Sequence, residues 1–417
     1  MLKKLLLTLL LLQSSQCGRF PKNVCSSFLD YTVMPISRNC WHNPDVGSTP
    51  DATVNRYGHT FESRTIFTLD GYKLGVFRIP PKNRRPDGQV IFMQHGVFET
   101  AMSWLSLGND SLAFKLSDAG FDVWLGNFRG TIYSNEHKHF NVSNREYWDF
   151  SFFELSYYDL PAMLDLVVRE TRTKKRIIYV GYSLGTTTSY VYSLVRQREA
   201  RQRLAALISL APVAYMKHTH ISFNFLLLFI TLIYDALTFF NVFALGISTR
   251  EGQTIFYRLC LYGPTRNLCR IVALMVISLM SDLVAPEVLP LVLTHAPAAT
   301  SLNIFKQFMQ EILHDGKFQA FDYGHLNSKK YGSTKPPIYD VSQITIPTYL
   351  LYGKKDKIGN EQDVKELFDN LQTNKLIIPI AEDDTVEFDH LDFLYSKNIE
   401  YLYAPLFKLI HSLSNQQ

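Results

Sequence analysis

Apolar and polar positions change their rhythm several times along the chain, and each change marks an element. Alternation from Phe61 to Arg78, broken at Asp70-Gly71, predicts a hairpin. Val90-Ile91-Phe92-Met93 is a short continuous apolar run, as expected of a strand buried on both faces. Asp110 to Ala119 predicts a helix ended by Gly120, and Phe121-Asp122-Val123-Trp124-Leu125 the next strand. From Tyr158 to Thr171, Leu160, Met163, Leu164, Leu166 and Val167 fall on one side of a helix. Ile177-Ile178-Tyr179-Val180 and Leu204 to Leu210 read as two more strands. Strand and helix in turn predict a mostly parallel sheet with helices on both faces.

The alternation stops at about Pro212. From there to Pro337 the chain is apolar and mostly helical, with no clear strand. It resumes with a strand at Pro347 to Tyr352, a helix at Glu361 to Leu371, a strand at Lys375 to Ile380 and a helix at Ile399 to Leu413. A gap of roughly 120 residues is too long for a loop. It predicts a helical cap, residues 212–337, inserted between two parts of an α/β core, 61–211 and 338–417. Residues 18–60 lack periodicity and contain Pro21, Pro35, Pro44 and Pro50, so they read as an extended, partly helical lead-in. Before them, the basic Met1-Leu2-Lys3-Lys4, the apolar Leu5 to Leu12 and the small polar Gln13 to Cys17 predict a secretory signal peptide over 1–17.

Composition adds exclusions. The chain is 47% hydrophobic and 19% charged, with a net charge of +4 spread thinly and no Lys/Arg block, which argues against a nucleic-acid partner. In a secretory context cysteines pair. With Cys17 at the signal boundary, Cys25, Cys40, Cys260 and Cys269 remain, and Cys25–Cys40 with Cys260–Cys269 is the simplest of their connectivities. Asn109-Asp110-Ser111 and Asn141-Val142-Ser143 are glycosylation sequons.

The candidate chemistry centres on Gly181-Tyr182-Ser183-Leu184-Gly185. Between a strand and a helix, this G-x-S-x-G places a serine at a strained corner with its hydroxyl lifted off the sheet. A Cβ at either glycine would strike neighbouring backbone. A serine hydroxyl needs a base to become nucleophilic. In this arrangement the acid and then the histidine follow in the chain. Asp356, just past a late strand, and His390, after the last strand, sit where they should. Asp389 and Asp392 are rivals for the acid, and His95, His314 and His411 weaker candidates for the base. Two backbone N–H groups are expected to hold the oxyanion. One is that of Leu184, and the other that of Val97 in Gln94-His95-Gly96-Val97-Phe98. Nothing has zinc-ligand spacing, and there is no phosphate loop or dinucleotide fingerprint, so neither metal nor cofactor is expected. Ile221 to Leu245 is strongly apolar, but Asn224, Asp235 and Asn241 interrupt it and the clean stretch is too short to span a bilayer. It reads as buried cap helices or as a lid opening onto lipid.

With these residues in hand, the chain resembles the acid lipases, the gastric and lysosomal group of α/β-hydrolases, from about Asn43 to its C-terminal helix. The likeness rests on His42 to Val46, Thr68 to Tyr72 with Arg78-Ile79-Pro80, Gln94-His95-Gly96, Tyr147 to Phe152, Tyr158 to Ala162, Phe318 to Gly324, Pro337 to Asp340 and His390-Leu391-Asp392-Phe393. The resemblance implies hydrolysis of triacylglycerols or cholesteryl esters at a lipid–water interface, without metal. It implies the roles of nucleophile, acid and base for Ser183, Asp356 and His390, a cap disulfide like Cys260–Cys269, and a lid in the Ile221 to Leu245 region. The chain departs from the group in its serine turn, with Tyr182 and Leu184 where His and Gln are usual. Tyr182 is expected to remove a polar group beside the nucleophile. The expectation is a secreted, alternatively lysosomal, lipase working through an acyl-enzyme. A short-chain carboxylesterase and a non-catalytic lipid-binding protein on the same fold are the alternatives.

Overall fold

The computed structural model describes residues 21–83, 88–261, 284–381 and 388–416. The expected signal peptide and Cys269 lie outside them. Eight strands carry the central sheet: β1 (Glu62–Phe67), β2 (Tyr72–Ile79), β3 (Val90–Gln94), β4 (Asp122–Gly126), β5 (Ile177–Tyr182), β6 (Leu204–Leu210), β7 (Thr348–Gly353) and β8 (Lys375–Ile380). Their spatial order is β8-β7-β6-β5-β3-β4-β2-β1, and the short strand Glu136–His137 pairs with β2. β3 to β8 are mutually parallel, whereas β2 pairs antiparallel with both β1 and β4. The hairpin turns at Gly71, whose φ of +103° requires a residue without a Cβ.

The apolar runs behave as their pattern requires. β3, β4, β5 and β6 are buried at every position, because helices cover both faces. The helices used below are α1 (Leu112–Asp118), α2 (Leu160–Thr171), α3 (Leu184–Val195), α4 (Ile221–Leu232), α5 (Tyr234–Phe239), α6 (Leu302–Leu313), α7 (Glu361–Asn370) and α8 (Glu400–Asn415). One face of the sheet packs on α2, α3 and α6, and the other on α1 and α8. A wide helical turn at Leu155–Asp159 precedes α2, so the predicted start at Tyr158 falls inside a continuous but non-uniform helix.

Between Leu210 and Thr348 the chain leaves the sheet and returns to it. Among the described residues of this stretch, the only strands are Ala244–Leu245 and Thr300–Ser301, which pair with each other. The apolar segment from Ile221 forms two short helices, α4 and α5, rather than one long one. Among the described residues no helix is long and apolar enough to cross a membrane. In the lead-in, Val24–Cys25 pairs with Cys40–Trp41 and Cys25 is disulfide-bonded to Cys40. Asn109 and Asn141 are both exposed.

Candidate active site

Parallel strands of one sheet end together, so the segments after β3, β5, β6, β7 and β8 meet at one edge. There β5 turns sharply into α3 at Ser183, with φ +51° and ψ −118°, outside the regions that side chains favour. Surrounding bonds hold the corner. The Ser183 amide donates to the Leu210 carbonyl at the end of β6 (3.1 Å), and the Thr186 hydroxyl donates back to the Ser183 carbonyl (2.7 Å). A Cβ on Gly185 would stand 2.4 Å from the Gln94 carbonyl oxygen, so glycine there lets α3 lie against the end of β3. Gly96 has a similar duty: a Cβ would meet the Tyr182 ring at 3.0 Å and Ser183 Cβ at 3.1 Å.

The structure brings Ser183, Asp356 and His390 together, each at most 4% exposed. His390 Nε2 lies 2.9 Å from Ser183 Oγ, and His390 Nδ1 lies 2.8 Å and 3.0 Å from the Asp356 carboxylate oxygens. A carboxylate can only accept, so Nδ1 carries the proton and Nε2 keeps a lone pair facing the serine hydroxyl. Asp356 is itself fixed by the amides of Ile358 and Gly359, each 2.8 Å from Oδ1. These groups can take a proton from Ser183 and stabilise the resulting imidazolium.

The rival acids do other work. Asp389 accepts from the amides of Lys357 (3.1 Å) and His390 (2.7 Å) and pairs with the Lys357 ammonium (3.2 Å). Burial, and then the charge of Asp356, pushes its carboxyl up to about 6. Asp392 accepts from the Asp389 amide (2.7 Å). Of the other histidines, His95 is buried and its Nε2 accepts from the Phe128 amide (3.2 Å), so Nδ1 donates to the Gly96 carbonyl (2.8 Å). Burial pushes it down to about 4, and it braces the loop that contains Val97 as a neutral ring. His314 is half-exposed beside Gln319, and His411 lies on α8 against Phe121.

Leu184 is the first residue of α3, where helical amides have no partner within the helix. Val97 sits across from it, in the loop that Gly96 brings against Ser183. The next residue, Phe98, has φ +63°, and its carbonyl accepts from the Ala298 amide (2.7 Å), while its ring lies 5.0 Å from Phe305 on α6. The expected loss of a polar group at Tyr182 is corrected: its hydroxyl is buried and donates to the His390 carbonyl at 3.1 Å. The ring is long enough to carry its polar end past the nucleophile to the histidine loop.

Comparison with known proteins gives the fold and the family. The α/β-hydrolase-fold family matches residues 89–392, and a partial α/β-hydrolase lipase region matches residues 51–108. The human gastric triacylglycerol lipase is 33% identical over 371 residues, which span 85% of this chain and 88% of that one. The bovine gastric triacylglycerol lipase is 32% identical, and mouse lipase member K is 29% identical with 94% of its length covered. The chain belongs to the acid lipase family of α/β-hydrolases. A solved monoglyceride lipase from Saccharomyces cerevisiae shares the fold, with a TM-score of 0.51 at 13% identity over 84% of this chain and 93% of the other.

For this acid lipase-family chain the three residues singled out by motif and order converge. Sequence reasoning did not single out Glu99 and Tyr395, two buried residues that flank the site on either side of it in the chain. A carboxylate among apolar residues two positions after Val97 was the available signal.

Proposed function

We propose that the protein is a lipase in which Ser183 attacks the ester carbonyl of a neutral lipid. His390 accepts the serine proton and then passes it to the leaving alcohol. Asp356 holds the ring in the required tautomer and offsets its charge. The Leu184 and Val97 amides receive the oxyanion, and water releases the acid from the acyl-enzyme by the same steps in reverse. The observation that carries this reading is the continuous line from Asp356 through His390 to Ser183, at 2.8 Å and 2.9 Å. No step calls for a metal or a cofactor.

Triacylglycerol is the substrate class we favour, on the likeness to the gastric triacylglycerol lipases. Residues 212–337 are taken as a cap over the site, with α4 and α5 as its lipid-facing part. Phe225, Phe229, Leu232 and Phe239 on these helices, with Phe240 just past α5, are exposed, an apolar face suited to a lipid–water interface. The Cys25–Cys40 disulfide and the exposed sequons at Asn109 and Asn141 support a secreted or lysosomal protein. The test is fatty-acid release from emulsified triacylglycerol by the purified chain and by Ser183→Ala. The variant is expected to lose activity by a factor on the order of 10⁴ or more. Equal rates would refute the mechanism.

A further inference from the structure

We propose that Glu99 is a positioning residue, locking the Val97 loop to the histidine loop through Tyr395. The inference rests on the reading of Val97 and His390 above. Glu99 follows Val97 by two positions and is buried. Its Oε2 accepts from the Ser103 hydroxyl, which closes the Val97 loop on itself, and from the Tyr395 hydroxyl at 2.7 Å. Tyr395 ends the short helix Asp392–Tyr395 that immediately follows His390, and its own amide donates to the Leu391 carbonyl (3.0 Å). One carboxyl oxygen thus joins segments 296 positions apart. It ties the loop that supplies an oxyanion donor to the loop that supplies the base.

His295 lies beside the same carboxyl, with Nε2 4.0 Å from Oε2, and burial pushes it down to about 3, so it is neutral. Burial raises the Glu99 carboxyl, against the Ser103 and Tyr395 hydroxyls and the charge of His390, which lower it. On the far side of Ser183, the Tyr182 hydroxyl holds the His390 carbonyl. The histidine backbone is therefore held from β5, and the end of its loop from the Val97 side. Neither Glu99 nor Tyr395 reaches the reacting atoms in this scheme, so their loss should misplace the machinery without weakening substrate binding.

The experiment measures kcat and KM of the full chain on a soluble p-nitrophenyl butyrate, with active sites counted by a fluorophosphonate. Tyr395→Phe and Glu99→Ala are expected to lower kcat per labelled site roughly tenfold, with KM within about twofold of the parent. Glu99→Gln keeps an oxygen that accepts both hydroxyls and is expected to recover kcat to within about threefold. Unchanged kcat per labelled site in Tyr395→Phe and Glu99→Ala would overturn the inference, since any lost activity would then reflect fewer folded molecules. A Glu99→Gln as impaired as Glu99→Ala would overturn it too, because the acceptor would not be what matters. Ser183→Ala run alongside separates the two readings. If it stays active, the site assignment fails and this inference with it; if it is inactive while the other variants match the parent, only the role of Glu99 fails.

Discussion

At Tyr182 a single hydroxyl replaces what a shorter polar side chain could do beside the nucleophile. The ring is packed 5.3 Å from the His390 ring, and the hydroxyl reaches the His390 carbonyl. Tyr182→Phe removes only that oxygen. A buried hydrogen bond contributes about 1 kcal/mol, so a fall in kcat of roughly fivefold at unchanged KM is expected on a soluble ester. A kcat equal to the parent's would show that the bond does not position the histidine. Asp389 gives a pH-dependent prediction. Its carboxyl titrates at about 6 in the folded chain, against about 3.9 unfolded. The folded state therefore binds this proton more tightly. The stabilisation is complete below about pH 4 and is lost as pH rises through about 6, on the order of 2–3 kcal/mol in all. Urea unfolding of Asp389→Asn should show a correspondingly smaller loss of stability over that window than the parent does.

The elements owe their placement to close backbone contacts as much as to apolar burial. α3 begins just after Ser183 and is buried over its first ten residues, from Leu184 to Ser193. It can lie there only because Gly185 leaves room for the Gln94 carbonyl. Gly185→Ala is expected to cost roughly 1–3 kcal/mol, because both the obstacle and the helix are backbone and neither can turn aside. Chemical denaturation checks this, and a midpoint equal to the parent's would mean that the corner has slack. Helices and strands of the core were legible because burial on one or both faces leaves a periodic trace. The split of the Ile221 to Leu245 segment into α4 and α5 was not. That break, at Ile233, carries no proline or glycine, and Tyr234 just beyond it still reaches α6, its hydroxyl donating to Asn303 Oδ1 at 2.8 Å.

At the scale of the molecule, α4 and α5 together expose a broad apolar face. Only Leu227 and Ile230 of α4 are buried, while Phe225 is 64% and Phe239 81% exposed. Replacing Phe225 and Phe229 together by serine should weaken binding to phosphatidylcholine vesicles by roughly tenfold or more, from about 1.5–3 kcal/mol per apolar side chain that would be buried there. Turnover of a soluble short-chain ester should stay within about twofold. Sedimentation with vesicles and a soluble-ester assay measure the two quantities separately, and equal loss in both would argue for a damaged fold instead of a lost docking face.

By itself the sequence determined the succession of strands and helices, the serine turn and the two partners whose places follow from strand order. Those features depend on neighbours in the chain: period, turn chemistry and the residue just past a strand. Tertiary structure decided the rest. It placed Asp356, and not its sequence rivals Asp389 and Asp392, against His390 Nδ1. It sent the Tyr182 hydroxyl to the His390 carbonyl and joined Glu99 to Tyr395. Ser183 and His390 are 207 positions apart, and their 2.9 Å separation is set by sheet register and by loops closing over the strand ends. No local pattern records a distance of that kind, because it is the sum of many packing choices made elsewhere in the chain.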